Sequence, residues 1–422
     1  MLKLLLLPLA LLLSAFLFFT DDTKNTSEEA LKENTHESRS WVSENLGQQI
    51  KANKFPENQL FKIESESKEL KIKYTLDPLL QKESEELLKR YKPDYGAIFM
   101  IDAKTGKVLA MSSFQKANSK ADNLNLQATF PAASIFKVIT AAAAVDHAGI
   151  DPDHKIAFNG GNYTLYKKNV LSDSINRWTR FISLKDAFAR SINTAFGRLT
   201  LESLEPKVIS DYAKRFMFNS RLQTDFPVEQ STAIVPEEKG YELTQVASGY
   251  NRFNTLSPVH GAMIAAAIIN QGKVVHPYIV NELTDSNDKP IYTAQPFNSE
   301  SAIKPESAKK VQEMMEQTVL TGTSRKTFRK IVREKKFQEI EMGGKTGHFT
   351  GMNPKGRTDW FVGYASDGED NKVAIAAITV NIQKWTVKSS ALGEMMIRKH
   401  FKTVLEEKAV SKLNNSNKKN RG

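Results

Sequence analysis

The 422-residue chain contains no cysteine. That absence excludes a disulfide framework, a thiolate nucleophile and any zinc site built on sulfur. Histidine is sparse, with seven residues, and none stands in the H-E-x-x-H spacing of a helical metal site, so no metal or other cofactor is expected. Repeats of solenoid period are missing, which excludes a stacked-repeat architecture. The longest apolar run is confined to the start of the chain, from Leu4 to Phe19.

With one Lys before it, that run has the pattern of a secretory signal peptide or signal-anchor over residues 1–20. At ~1.5 Å per residue it reaches about 24 Å, short of the ~30 Å hydrocarbon core, which favours a cleaved signal. No A-x-A-like site follows it, which favours a retained anchor. An exported chain of this size without disulfides suits a bacterial envelope, anchored in the inner membrane with its body in the periplasm or another extracytoplasmic space. The net charge is +11, from 59 basic and 48 acidic residues. Such a field attracts anionic wall polymers or lipid head groups, and an ordinary solvated surface also accounts for it. Export and the lack of a binding motif exclude nucleic acid.

Residues 21–57 are rich in Ser, Glu, Lys, Asn and Gln, and are expected to form a polar flexible linker, with a short helix as an option around Trp41–Ile50. A folded domain is expected at 58–404 and a basic disordered tail at 405–422. Alternating apolar positions between Gln59 and Tyr74 predict strands, and Asp77–Tyr91 reads as a helix. Ala97–Ile101 and Val108–Met111, joined through Gly106, predict a hairpin. Helices are expected at Ser134–His147, Leu184–Thr200, Lys207–Phe216, Pro258–Asn270 and Ala308–Leu320. Glu339–Lys345, Asp359–Ala365 and Lys372–Val380 predict an antiparallel meander, with a helix at Lys388–His400 over one face. Strands at both ends of a mostly helical middle define an α+β domain.

Three short segments could carry chemistry. Ser134-Ile135-Phe136-Lys137 opens an apolar run, Val138–Val145. A spacing of three places Lys137 on the face of Ser134, and burial lowers an ammonium pKa, so a neutral amine could take the serine proton. The same spacing at Ser65/Lys68, Ser113/Lys116, Ser301/Lys304, Ser307/Lys310 and Ser416/Lys419 lies in polar surroundings that keep lysine charged. Ser191-Ile192-Asn193 pairs a hydroxyl with a carboxamide, and Ser174-Ile175-Asn176 is a more polar copy of it. Gly343-Gly344-Lys345-Thr346-Gly347 ends a strand, where glycine admits a ligand backbone and Lys and Thr suit a carboxylate. A phosphate loop is excluded there, because it needs glycine where Glu339 stands.

Each triplet alone is weak; their order is not. S-x-x-K, then S-x-N after 191 − 134 = 57 residues, then K-T-G after 345 − 191 = 154, resembles the transpeptidase domain of penicillin-binding proteins. The likeness runs from about Lys73 to Val380. It includes Tyr74–Gln81, Met100–Met111, Gly322-Thr323-Ser324 and Asp359–Ala365. It implies a five-stranded antiparallel sheet flanked by helices, with an inserted, mostly helical subdomain. It also implies that Ser134 attacks a D-alanyl-D-alanine peptide with Lys137 as base, while Ser191 and Lys345 pass the proton to the departing D-alanine. Asn193 would hold the acyl chain's amide, and Lys345 and Thr346 the terminal carboxylate, beside Gly347. The backbone N–H groups of Ser134 and His348 would form the oxyanion site, worth ~3 kcal/mol per donor.

Two departures stand out. His348 replaces the usual Thr or Ser after K-T-G, removing a hydroxyl and adding a titratable ring. Ala132-Ala133 replaces the usual Pro-Gly before the nucleophile, which reads as a mild change. The implied ligands are peptidoglycan stem peptides and β-lactams. The stretch 21–57 is too short for a glycosyltransferase domain, so glycan polymerisation would fall to a separate partner. Other readings of the same motifs are a D,D-carboxypeptidase or endopeptidase, a β-lactamase, and an idle module that binds muropeptide or another protein. The span from Ser134 to Lys345, 345 − 134 = 211 residues, favours the larger transpeptidase arrangement over the β-lactamase.

Overall fold

The computed structural model describes residue 31, residues 35–352 and residues 354–419. The expected signal or anchor at 1–20 lies outside the described residues, and among the described residues no helix is long and apolar enough to cross a membrane.

Alternation in five strands builds the centre of the molecule. In Tyr95–Asp102, Ala97, Phe99 and Ile101 enter one core, and Ile98 and Met100 the other. Lys355–Ser366 divides the same way, with Trp360, Val362 and Tyr364 against Phe361 and Ala365. A sheet with a hydrophobic residue at nearly every position needs cover on both faces. Helix Pro258–Ile269, buried along its whole length, packs on one face. Helices Pro78–Tyr91 and Ser389–Lys419 lie on the other.

The sheet order is Glu341–Met352, Lys355–Ser366, Lys372–Asn381, Tyr95–Asp102, Val108–Gln115, with every neighbouring pair antiparallel. The expected five-stranded α+β architecture is therefore present, closed by joining the early hairpin to the late meander. Glu341–Met352 stands at an edge, bonded to one neighbour, and its other side faces the turn that carries Ser134.

Three expectations need correction. The linker assigned to 21–57 contains a packed helix, Thr35–Lys51, which buries Trp41, Val42, Leu46 and Ile50. Its apolar residues are few but fall on one stripe, so composition understated what they bury. The tail assigned to 405–422 is helical as far as Lys419, and Lys408 pairs with Asp367 and Glu369 across to the sheet. The helix expected at Leu184–Thr200 breaks into Leu184–Ala189 and Asn193–Ser203. A second sheet, Asn58–Ile63, Glu66–Tyr74, Val280–Thr284 and Pro290–Thr293, pairs the early strands with a segment whose strands the sequence did not reveal.

Arg39 fastens the first helix to this region. Its buried guanidinium donates to the carbonyls of Gln223, His276 and Gln295 at 2.8–3.0 Å and lies 5.0 Å over the Tyr278 ring. Arg39→Ala leaves these acceptors short of donors and opens a void. A loss of about 3–5 kcal/mol is expected, read as a lower urea midpoint.

Candidate active site

Ser134 lies in a 3₁₀ turn, Ala133–Phe136, that runs directly into helix Lys137–Asp146. Between Phe130 and Val145 it alone is partly exposed; every other residue is buried. The turn is anchored from both sides: Ala132 N–H donates to Asn254 O, and Trp360 Nε1 donates to Pro131 O across to the sheet. Ala133 occupies φ +47°, the left-handed region where alanine costs about 1–2 kcal/mol. Replacing the family's glycine there thus carries a backbone strain that the sequence did not show.

Lys137 is fully buried. Its Nζ lies 3.0 Å from Ser134 Oγ, 2.7 Å from Asn193 Oδ1 and 2.5 Å from Ser248 O. Burial, and then the charge of Lys345, hold its pKa well below the ordinary lysine value. Three acceptors would match the three donors of an ammonium, and it is the lowered pKa that favours the uncharged amine. Its two N–H groups donate to the carboxamide oxygen and the carbonyl, which leaves the lone pair for the Ser134 O–H. The orientation of Asn193 is fixed by its Nδ2, which donates to Tyr163 O at 2.9 Å. Both ends of this carboxamide are therefore engaged, and Asn193 positions Lys137.

Ser191 stands at the break between two helices. It adopts φ +57°, and the bonds Ser191 N–H to Phe188 O and Ile192 N–H to Ala187 O close the first helix behind it. This geometry ends the expected continuous helix and turns the Ser191 hydroxyl toward Lys345, whose Nζ donates to it at 2.9 Å and to Thr346 O at 2.9 Å. Lys345 is also fully buried, and burial lowers its pKa to about 7.

Thr346 shares a 2.6 Å hydroxyl bond with Thr323. Gly347 lies against the nucleophile turn: a Cβ on it would stand 3.3 Å from Ser134 N and from Ala133 Cβ, so a side chain here would press on the turn that carries the nucleophile. His348 turns outward. Its Nε2 is 2.7 Å from Asp359 Oδ1, its ring meets Trp385 edge-on, and Asp359 is held from behind by Ser389 N–H at 2.6 Å. The three triplets thus converge on one site. The copy Ser174-Ile175-Asn176 is exposed, and its Ser174 carbonyl accepts from Asn159 Nδ2.

Ser248 and Gly249 escaped the sequence reading. Ser248 supplies a carbonyl to Lys137, and its hydroxyl donates to Asn193 O. Gly249, at φ +63°, passes so close that a Cβ would lie 1.8 Å from Ala133 O and 3.0 Å from Ser134 N. The only sequence trace was a small-residue run, Ala247-Ser248-Gly249. Gly249→Ala must displace the nucleophile turn. A loss of at least about 2–3 kcal/mol in a denaturant titration is expected, together with slower acylation of whatever folds.

A hydroxyl within reach of a buried amine whose pKa is lowered, a second lysine–serine pair and a strand edge beside them define a serine acyl-transfer site. The profile of the penicillin binding protein transpeptidase domain matches residues 96–396, and the chain belongs to that family. It is 24% identical over 297 residues to stage V sporulation protein D of Bacillus subtilis, covering 66% of this chain and 44% of that protein. It is 25% identical over 346 residues to the peptidoglycan D,D-transpeptidase PbpA of Mycobacterium tuberculosis, covering 73% of this chain and 66% of that one. The chain thus spans between about two fifths and two thirds of the length of these relatives. Its fold is that of penicillin-binding protein A from M. tuberculosis, solved as an imipenem acyl-enzyme complex, with TM-score 0.64, 23% identity and 80% of each chain covered.

Proposed function

We propose that this chain is a penicillin-binding D,D-transpeptidase that cross-links peptidoglycan stem peptides through an acyl-enzyme on Ser134. The observation that carries this reading is the placement of Lys137 Nζ, with two acceptors for its N–H groups and the Ser134 hydroxyl for its lone pair. Ser134 Oγ attacks the carbonyl between the two D-alanines while its proton passes to Lys137. The Ser191–Lys345 pair relays a proton to the departing amine, so the C–N bond breaks as D-alanine leaves. An amine of a second stem peptide then attacks the ester, forms the new amide and returns the serine its proton. Lys345 and Thr346 hold the terminal carboxylate, and the Ser134 and His348 N–H groups the oxyanion.

The apolar run Leu4–Phe19 and the absence of cysteine support a place at the inner membrane, with the site on the extracytoplasmic side and a separate glycosyltransferase supplying the glycan. The test combines two measurements. Fluorescent penicillin should label the purified chain on Ser134 by peptide mapping, and Ser134→Ala should not label. A synthetic pentapeptide ending in D-alanyl-D-alanine, given an amine acceptor, should yield the coupled product by mass. Labelling of Ser134→Ala would sink the assignment of the nucleophile, and release of D-alanine without coupling would make the chain a carboxypeptidase.

A further inference from the structure

Helix Arg325–Arg333 is short and strongly basic, and it begins two residues after Thr323, which bonds to Thr346 of the Ser134 site. Phe328 and Ile331 anchor it, while Arg325, Lys326, Arg329, Lys330 and Arg333 are all exposed. Arg325, Arg329 and Arg333 recur at intervals of four and so line up on one face, where like charges repel. The placement is unfavourable in a second way. Arg325 opens the helix, whose positive end prefers an anion; the first turn contains no acid, and Ser324 makes no capping bond. Among the described residues, no ion pair or hydrogen bond joins these three guanidinium groups to an acid; the neighbouring Glu334 is bonded instead to Arg398.

The three arginines face a shared space. Together with Val319, Leu320 and Val332 they line a small open cleft of about 80 Å³. The carbonyl end of helix Pro305–Leu320 borders it and offers roughly half a negative charge, far short of three guanidinium charges. Uncompensated cations in a row, with planar forks that fit tetrahedral oxyanions and an apolar floor beneath them, form a site awaiting a ligand.

We propose that this cleft binds a phosphate ester. Its oxygens are gripped by Arg325, Arg329 and Arg333, and the carbon groups next to the phosphate rest on Val319, Leu320 and Val332. A phosphate ester carries its charge on tetrahedrally disposed oxygens that forks on three sides can reach, which a planar carboxylate does not offer, and the apolar floor gives an ester an advantage over a bare ion. The source is either a lipid headgroup or a water-soluble phosphate polymer, which share this chemistry.

Calorimetric titration of the purified full chain tests it, at constant ionic strength, with sn-glycerol 3-phosphate in one arm and a short-chain phosphatidylglycerol below its micelle concentration in the other. Saturable binding is expected, at least tenfold weaker in Arg329→Gln and unchanged in Lys168→Gln, an exposed cation elsewhere. Tighter binding in the lipid arm assigns the headgroup, and tighter binding of glycerol phosphate the soluble ester. Without ligand, Arg329→Gln should melt no lower than wild type, because it relieves repulsion, while wild type alone gains melting temperature as glycerol phosphate is added. Absence of saturable binding in both arms, or binding undiminished in Arg329→Gln, overturns the proposal. A ligand-free variant that melts several degrees lower does so too, since the guanidinium would then be structural.

Discussion

Lys137→Ala is expected to slow acylation of Ser134 by a β-lactam by about 10²–10⁴-fold, the usual contribution of a positioned general base. The expectation follows from the partners of the amine. With Asn193 Oδ1 at 2.7 Å and Ser248 O at 2.5 Å taking its N–H groups, Nζ has one lone pair left, and Ser134 Oγ is 3.0 Å away. Lys137→Arg should not restore the rate, because guanidinium keeps its proton and cannot accept another. Stopped-flow measurement of fluorescent penicillin adduct decides the matter. A Lys137→Ala rate within threefold of wild type would remove the amine from proton transfer and leave it a structural role.

The second large effect is expected at Lys345. A charge-assisted bond to a carboxylate is worth about 1.5–3 kcal/mol, so Lys345→Met should weaken acylation by a carboxylate-bearing β-lactam by roughly 10–100-fold. Because burial lowers its pKa to about 7, wild-type kcat/KM should fall on the alkaline side of that value as the charge is lost, and Lys345→Met should lack this limb. Stability carries the opposite sign. Between about 7 and the ordinary value of 10.5, the unfolded chain binds a proton at this lysine that the folded chain does not. Folding therefore gains stability as pH rises through that window, by at most about 1.4 kcal/mol per unit. Below about 7 both states are protonated and the burial penalty is complete. In urea titrations from pH 7 to 10, wild type should gain on Lys345→Met; parallel curves would place the amine in contact with water.

Much of the site was legible because its chemistry is local. Ser134 and Lys137 share one turn, the run Val138–Val145 foretold a buried amine, and Lys345–Gly347 ended a strand marked by its own alternation. The helix break at Ser191 was not legible. Nothing in Leu184–Thr200 forbids a continuous helix, and the left-handed residue is held there by packing and by Lys345. Ser248 and Gly249 were invisible for a related reason: what they offer is backbone, a carbonyl to Lys137 and an empty space beside Ala133 O, and no side-chain pattern records either.

The N-terminal region shows the same limit. Composition made 21–57 a linker, since Trp41, Val42, Leu46 and Ile50 are few among many polar residues. The surface that buries them comes from elsewhere in the chain, and Arg39 finds its carbonyls at Gln223, His276 and Gln295.

From residue order alone came the two-ended sheet, the three triplets and the choice of Ser134 over its chance copies, because apolar periodicity and short spacings are properties of neighbours along the chain. Tertiary structure decided how the triplets meet, that Asn193 turns its carboxamide to Lys137, that His348 turns away to Asp359, and that Ala133 bears strain. Those outcomes depend on which distant groups share a dry, crowded volume, where one hydrogen bond or one missing methyl group outweighs any local preference.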